Sequence, residues 1–433
     1  MQSILVTGLC TLHWGRLQYG NVGNYYIIEP LFRELHKYFP KHRIVTTFQM
    51  DDGFIEKEDI EVLPMDLYYT WNVDRDVAEA EMEVKIAEEF VQGKQCKLTP
   101  YMNAITECEY VINVSGDMWG DNAEHVGKDR FLVDCLKMKT AQLLNKKTVL
   151  YAVTPGPFTR NVALAREVFS QFDLVVIREK ISESNLKKWG FPVENVIYAP
   201  CPSFLFEANK RYKSKWTEKL EGVKKTGRKV IGLTFGGFNM PIGPYDMWPR
   251  DAKQYETFLT LADYIIHDLK AELLIFSHTN GFDLPPNFKL KNGRDFVILE
   301  QFYRLILEKS PANKEHVILI DEPLLPCDIK AVIGKLDMLI TGRVHASVAS
   351  TSQCVPTLYM EYDRNVIYSD KMLGFSEQLG MERFVSEPGN IQMLLKKTAE
   401  CYENLASIRE ELEQVVPKVK DKADSIFVEI HKL

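Results

Sequence analysis

Short apolar runs that end in glycine or polar residues alternate along this chain with longer stretches of helical periodicity. Residues 3–7 (SILVT) predict a buried strand, and residues 24–38 a helix whose Ile27, Ile28, Leu31, Leu35 and Tyr38 fall near helical spacing. Residues 41–100 carry little pattern apart from 76–92, a strongly charged stretch that reads as a helix with a solvated face. Order returns at strand 110–114, followed by helix 130–144, strand 148–153, helix 161–172, strand 174–177 and strand 196–199. The alternation restarts with strand 230–234, helix 255–269, strands 272–276 and 317–320, helix 328–335, and strands 338–341 and 357–360. From 386 the chain reads as an amphipathic tail, with Leu394, Leu395, Thr398 and Tyr402 near helical spacing.

Strands that alternate with helices in this way build parallel sheets covered on both faces. The expected fold is α/β, with two Rossmann-like doubly wound domains facing across a cleft and a C-terminal helical tail. The expected division is an N-terminal domain at 1–206, a linker at 207–229, a C-terminal domain at 230–385, and a tail at 386–433 that packs back on the N-terminal domain. The linker is the sharpest change in composition, with nine lysines and arginines against three glutamates. It reads as a solvated helix or as a candidate contact with an anionic lipid surface or a diphosphate-linked acceptor.

A chain of 433 residues has room for two to three domains, and 45% hydrophobic with 26% charged residues describes an ordinary globular protein. The net charge of −7 and the pI near 5.8 argue against a dedicated nucleic-acid binder. The first residues lack a signal-peptide pattern, and no apolar stretch approaches the length of a membrane span. A cytoplasmic protein is therefore expected, at the inner face of the membrane if the basic linker meets lipid. The eight cysteines are scattered with no C-x-x-C pair, so reduced thiols are expected, with neither a disulfide framework nor a zinc site.

In parallel sheets, ligands sit beyond the carboxyl ends of the strands, and several chemically able residues fall there. In residues 338–360, MLITGRVHASVASTSQCVPTLYM, Arg343 and His345 stand between a strand and a small-residue helix. Arg343 offers a fork for a carboxylate or phosphate, and His345 a hydrogen bond or a proton near neutral pH. Alternatively, Arg343 caps a carbonyl or pairs with an acid, and His345 is a satisfied polar residue at a helix start. In the loop Tyr19-Gly-Asn-Val-Gly-Asn24, Gly20 and Gly23 allow close backbone approach, Asn24 can cap the helix, and unpaired N–H groups can hold a phosphate; a plain glycine turn explains the same residues. Asp117, in the turn 115–121, is a candidate proton acceptor or the centre of an Asx turn. Arg178, at the end of strand 174–177, is a second anion-binding candidate or half of an ion pair. Gly236 and Gly237, His278, and Glu361 before Tyr362 and Asp363 close three further strands. Trp71, with Tyr68 and Tyr69, reads as packing or as the lining of an acceptor groove.

Four of these segments, in order, resemble the polysaccharide pyruvyl transferase family. Gly342-Arg-Val-His-Ala346 followed by Val355-Pro356 resembles its G-x-R-x-H-A segment, and Gly20-Asn-Val-Gly-Asn24 resembles its G-N-x-G-D segment with Asn24 in place of the acid. The turn 115–121 matches a G-G-G-x-x-x-D turn in part, and residues 176–182, VIREKIS, resemble an R-[DE]-x-x-S block. An arginine after Thr234 is missing. The resemblance implies an enzyme that uses phosphoenolpyruvate to form a pyruvate ketal on a sugar of a cell-surface glycan or its lipid-linked precursor, with phosphate released and no cofactor or metal. It implies a phosphoenolpyruvate site drawn from Arg343, His345, Arg178, Gly236, Gly237 and His278, with the acceptor near Asn21, Gly23, Asn24 and Glu361. His345 with Asp117 would serve as acid and base, or else His278 with Glu361. The competing readings are a GT-B glycosyltransferase that takes a nucleotide sugar and a non-catalytic sugar-binding relative.

Overall fold

The computed structural model describes residues 2–9, 13–240, 247–362 and 370–433; Cys10 and Asp363 lie outside the described residues. The chain forms two compact units. The first comprises Met1–Leu17, Ile28–Pro202 and Lys422–Leu433, and the second Gln18–Ile27 and Ser203–Asp421.

The first unit is built on a seven-stranded sheet. Its strands are β1 (Ser3–Thr7), β2 (Arg43–Thr46), β3 (Ile60–Val62), β4 (Cys108–Asn113), β5 (Lys147–Val153), β6 (Leu174–Ile177) and β7 (Val196–Tyr198), in the order β3-β2-β1-β4-β5-β6-β7. All pairings are parallel. β1 is buried along its whole length, as expected of a parallel strand with helices on both faces. β2 and β3 lie in the region without a clear sequence pattern; they are short, and β3 is only partly buried.

The charged stretch forms helix Val73–Val91, and its solvated face is only half the story. Ala80, Glu83, Val84 and Ala87 are buried, and Glu83 accepts from Thr99 Oγ1 at 2.6 Å and pairs with Lys137 Nζ at 2.8 Å. A buried ion pair contributes charges to the sequence that look like surface, so the apolar stripe of Ala80, Val84 and Ala87 is diluted by charge.

Beneath the turn after β4 lies a buried polar network. The Asp134 carboxylate accepts from Tyr68 Oη and from Asn113 Nδ2 at 2.9 Å, while Ser115 Oγ donates to Asn113 Oδ1 at 2.6 Å and accepts from the Leu9 N–H at 3.0 Å. Burial pushes the Asp134 carboxyl up to about 6 despite these donors. Asp134→Ala is expected to lower stability by about 2–3 kcal/mol in urea denaturation, because the Tyr68 and Asn113 donors stay buried without their acceptor.

The second unit carries a six-stranded parallel sheet of β8 (Val230–Thr234), β9 (Glu272–Ile275), β12 (Val317–Leu319), β13 (Met338–Thr341), β14 (Thr357–Met360) and β15 (Val385–Ser386). Its order is β12-β9-β8-β13-β14-β15, and a separate hairpin pairs β10 (Asn280–Phe282) with β11 (Leu290–Asn292). The hairpin and the helix Arg294–Lys309 are not among the elements expected from the sequence. The helix carries Phe296, Leu299, Phe302 and Ile306 at helical spacing, the signal that would have found it. The basic stretch 207–229 contains helix Lys215–Lys225, whose Trp216 and Leu220 are buried in this unit's core. The tail forms helices Ile391–Glu403 and Leu405–Lys432. Its last turns belong to the first unit, where Tyr38 Oη donates to Asp424 at 2.8 Å and the Tyr38 ring stacks on Phe427.

Candidate active site

Strand order sets where a site can form. In the second sheet β8 is flanked by β9 and β13, and the chain runs from β8 outward through β9 and β12 before returning to β13. The carboxyl ends of β8 and β13 therefore stand at a topological switch point, where open α/β sheets bind their ligands. Gly236 and Gly237 follow β8, Ser277 and His278 follow β9, and Gly342, Arg343 and His345 follow β13.

The turn out of β13 is held by its own residues. The Arg343 N–H donates to Thr341 Oγ1 at 2.9 Å, Arg343 stands at the N-cap position of the helix Val344–Thr351 without a side-chain capping bond, and the Ser347 N–H donates to the Arg343 carbonyl at 3.1 Å. The Arg343 guanidinium donates through Nη2 to Asp295 Oδ1 and is only 12% exposed. Asp295 is itself buried at the first turn of helix Arg294–Lys309. Arg343 thus pairs with an acid, and that acid fixes the plane of its fork at the carboxyl end of β13.

Three glycines are needed to fit these groups together. A Cβ on Gly236 would lie 2.7 Å from Arg343 Nη2 and 2.8 Å from Asp295 Oδ1. One on Gly342 would overlap the Asn239 amide. One on Gly23 would strike the His345 imidazole, with Cγ at 2.7 Å. The glycine segment after β1 thus belongs to the second unit and lies against His345. Its helix, Val22–Tyr38, starts earlier than the pattern indicated. Asn21, and not Asn24, is its cap: Asn21 Oδ1 accepts from the Gly23 N–H at 3.1 Å and the Asn21 carbonyl accepts from the Asn24 N–H at 2.9 Å. Asn21 also forms an isolated antiparallel bridge with Thr279, next to His278.

Asn239 ties three strand ends together. Its Oδ1 accepts from the Gly236 N–H at 3.1 Å, and its Nδ2 donates to the Glu361 carbonyl at 3.1 Å and more distantly to the Gly342 carbonyl at 3.5 Å. The Glu361 side chain is buried. On the far side of His345, Phe375 sits with ring centroids 6.4 Å apart, and one helical turn earlier the buried Lys371 places Nζ 4.6 Å from the Tyr362 ring centre. Asp295, Asn239 and Lys371 carried no motif and escaped sequence reading.

His278 is 2% exposed, its Nε2 is buried without a hydrogen-bond partner, and the Tyr26 ring stands edge-on to it at 5.6 Å. Burial, aided by the Arg343 charge, pushes it down to about 3, so His278 is a neutral imidazole at physiological pH and not a proton donor in its charged form. The unfolded chain takes up a proton near pH 6.5 that the folded chain refuses until about pH 3. His278 therefore costs stability as pH falls below about 6.5, by up to about 1.4 kcal/mol per pH unit. His278→Gln is expected to flatten the fall in melting temperature between pH 6.5 and 5; an unchanged slope would assign that fall to other groups.

Asp117 and Arg178 lie in the first unit. Asp117 is half-buried in the turn after β4, and a Cβ on the neighbouring Gly116 would lie 3.6 Å from Arg178 Nη1. Arg178 is buried, donates through Nε to Thr154 Oγ1 at 2.7 Å and stands 3.8 Å from Glu179 Oε2. Tyr68 and Tyr69 are buried in the core, while Trp71 is half-buried and stacks on His13 at 4.3 Å. A cavity of about 310 Å³ lined by Gln2, Glu107, Glu109 and Lys146 is at the opposite, amino-terminal edge of this sheet. Among the described residues no group of His, Cys, Asp and Glu forms a metal site, and no helix is long and apolar enough to cross a membrane.

Two doubly wound parallel sheets, one with an arginine–histidine pair at its switch point, define an α/β protein of GT-B-like fold. Solved structures share this fold at low identity. A putative UDP-N-acetylglucosamine 2-epimerase from Listeria monocytogenes has a TM-score of 0.58 at 14% identity, with 100% of this chain and 98% of that chain covered. The Anabaena protein Alr3699/HepE, solved in complex with UDP, has a TM-score of 0.57 at 11% identity, with 100% and 98% covered. A glycosyltransferase from Rickettsia africae has a TM-score of 0.55 at 12% identity, with 100% and 99% covered. No curated protein matches the sequence. The polysaccharide pyruvyl transferase family model matches residues 21–364, and the chain belongs to that family.

Proposed function

We propose that this protein forms a pyruvate ketal on a sugar of a cell-surface glycan or its lipid-linked precursor, with phosphoenolpyruvate as donor. The observation that carries the reading is the Arg343–His345 pair at the switch point of the second sheet, held by Asp295, Gly236 and Gly23, in a chain of this family. Ketal formation protonates C3 of the donor and leaves C2 cationic. One acceptor hydroxyl adds to C2 and loses its proton, the C2–O bond to phosphate breaks with its electron pair on the phosphate, and a second hydroxyl closes on C2 and loses its proton. One released proton balances the one taken at C3, and the other leaves with phosphate. Arg343 holds the donor's carboxylate or phosphate, and His345 delivers the proton to C3. The exposed Lys213, Lys219, Lys224 and Lys225 are assigned to an anionic surface that carries the acceptor.

The test is phosphate release from phosphoenolpyruvate across a panel of glycan acceptors, wild type against His345→Ala. A loss of about a hundredfold or more is expected; equal rates would remove His345 from the mechanism. A parallel thermal-shift titration separates this reading from a glycosyltransferase, since stabilisation by UDP-sugars and not by phosphoenolpyruvate would favour the latter.

A further inference from the structure

The hairpin after β9 is not used by the chemistry above, yet it is built from the site's own residues. β10 and β11 pair from Asn280 with Asn292 to Phe282 with Leu290, so its two feet continue directly from His278 and into Asp295. The feet are joined, because the Asp295 N–H donates to Thr279 Oγ1 at 3.2 Å. They are also pinned, since Asn280 Nδ2 donates to the Leu324 carbonyl at 2.8 Å and Asn292 Nδ2 to the Asp321 carbonyl at 2.9 Å.

At the far end, residues 284–289 (LPPNFK) are all exposed, with Leu284 at 62% and Phe288 at 42%. The half-buried Tyr19 meets Phe288 at 4.6 Å between ring centres and Phe282 at 6.0 Å, which makes a rigid aromatic corner. Tyr19 is tied to the site by its own chain. Asn21, two residues on, bridges to Thr279, and Gly23, four residues on, abuts His345. Four residues span at most about 14 Å of backbone, so this corner stands within a short oligosaccharide's reach of the imidazole.

Rings held on a pinned hairpin beside a polar anion site suit a ligand with an apolar face and a polar rim. A pyranose ring has that character. An anionic bilayer suits the corner less well, because Lys291 is paired with Asp283 at 2.6 Å and only Lys289 adds charge at the tip. We propose that Tyr19 and Phe288 form a platform on which a pyranose ring of the acceptor glycan stacks. The assignment rests on the pyruvyl transferase reading for its acceptor class.

The experiment measures saturation-transfer NMR and competition affinities for lactose, cellobiose and maltose, with phosphoenolpyruvate titrated calorimetrically in parallel. Wild type, Phe288→Ala, Tyr19→Ala, Tyr19→Phe and Leu284→Ser are compared. Phe288→Ala and Tyr19→Ala are expected to weaken saccharide binding by about tenfold, the scale of one aromatic contact, while phosphoenolpyruvate affinity is kept. Tyr19→Phe and Leu284→Ser are expected to bind like wild type. Unchanged saccharide binding in the alanine variants overturns the platform, as does a wild type that binds phosphoenolpyruvate and none of the sugars. Failure to bind phosphoenolpyruvate as well overturns the parent reading with it. Co-sedimentation with phosphatidylglycerol vesicles that Leu284→Ser abolishes would reassign the tip to lipid.

Discussion

Arg343→Ala is expected to lower kcat/KM for phosphoenolpyruvate by about a thousandfold, the scale of a lost anion-stabilising donor at a reacting centre. Two effects add in the same direction. The fork proposed to hold the donor is removed, and the buried Asp295 carboxylate loses the guanidinium it accepts from. A carboxylate left facing a doubly anionic donor repels it. Arg343→Lys is expected to recover little, since an ammonium is a point charge and cannot span Asp295 and the donor in one plane. The double variant Arg343→Ala/Asp295→Asn is expected to bind phosphoenolpyruvate better than Arg343→Ala alone, because the orphaned charge is gone. Steady-state phosphate release with calorimetric binding checks each point. An Arg343→Ala rate within about tenfold of wild type, with normal melting, would place the donor elsewhere.

Gly23→Ala should cost about a hundredfold in kcat, the scale of a misplaced catalytic group, although the change is one methyl group. The new Cβ would overlap the His345 imidazole, and the atoms it meets are those of that side chain and not of a backbone. The ring moves. Gly222→Ala is the matched control: it lies within helix Lys215–Lys225, and a Cβ there meets nothing within 4 Å. That substitution should raise stability by about 0.5–1 kcal/mol, as expected for glycine replaced by alanine in an exposed helix, with no effect on rate. Equal activity of the two variants would mean that the His345 ring position does not matter to the reaction.

Sequence alone carried the alternation of strands and helices, because parallel strands buried on both faces must be apolar throughout. β1, β8, β13 and β14 announce themselves for that reason. It also carried the positions of Arg343 and His345, since a strand that ends in a glycine and two able side chains is local in the chain. Helix Val73–Val91 was read only from its outer face, because the buried Glu83–Lys137 pair mimics surface charge. What the tertiary structure decided is which distant residues serve that pair. Asp295, 48 positions before Arg343, holds its fork; Gly23 makes room for the imidazole; Asn239 ties the ends of β8, β13 and β14. The glycine segment after β1 did offer Gly23, but no local pattern encodes Asp295 or Asn239. Their selection depends on the order β12-β9-β8-β13-β14-β15, which brings strand ends together that the sequence keeps far apart.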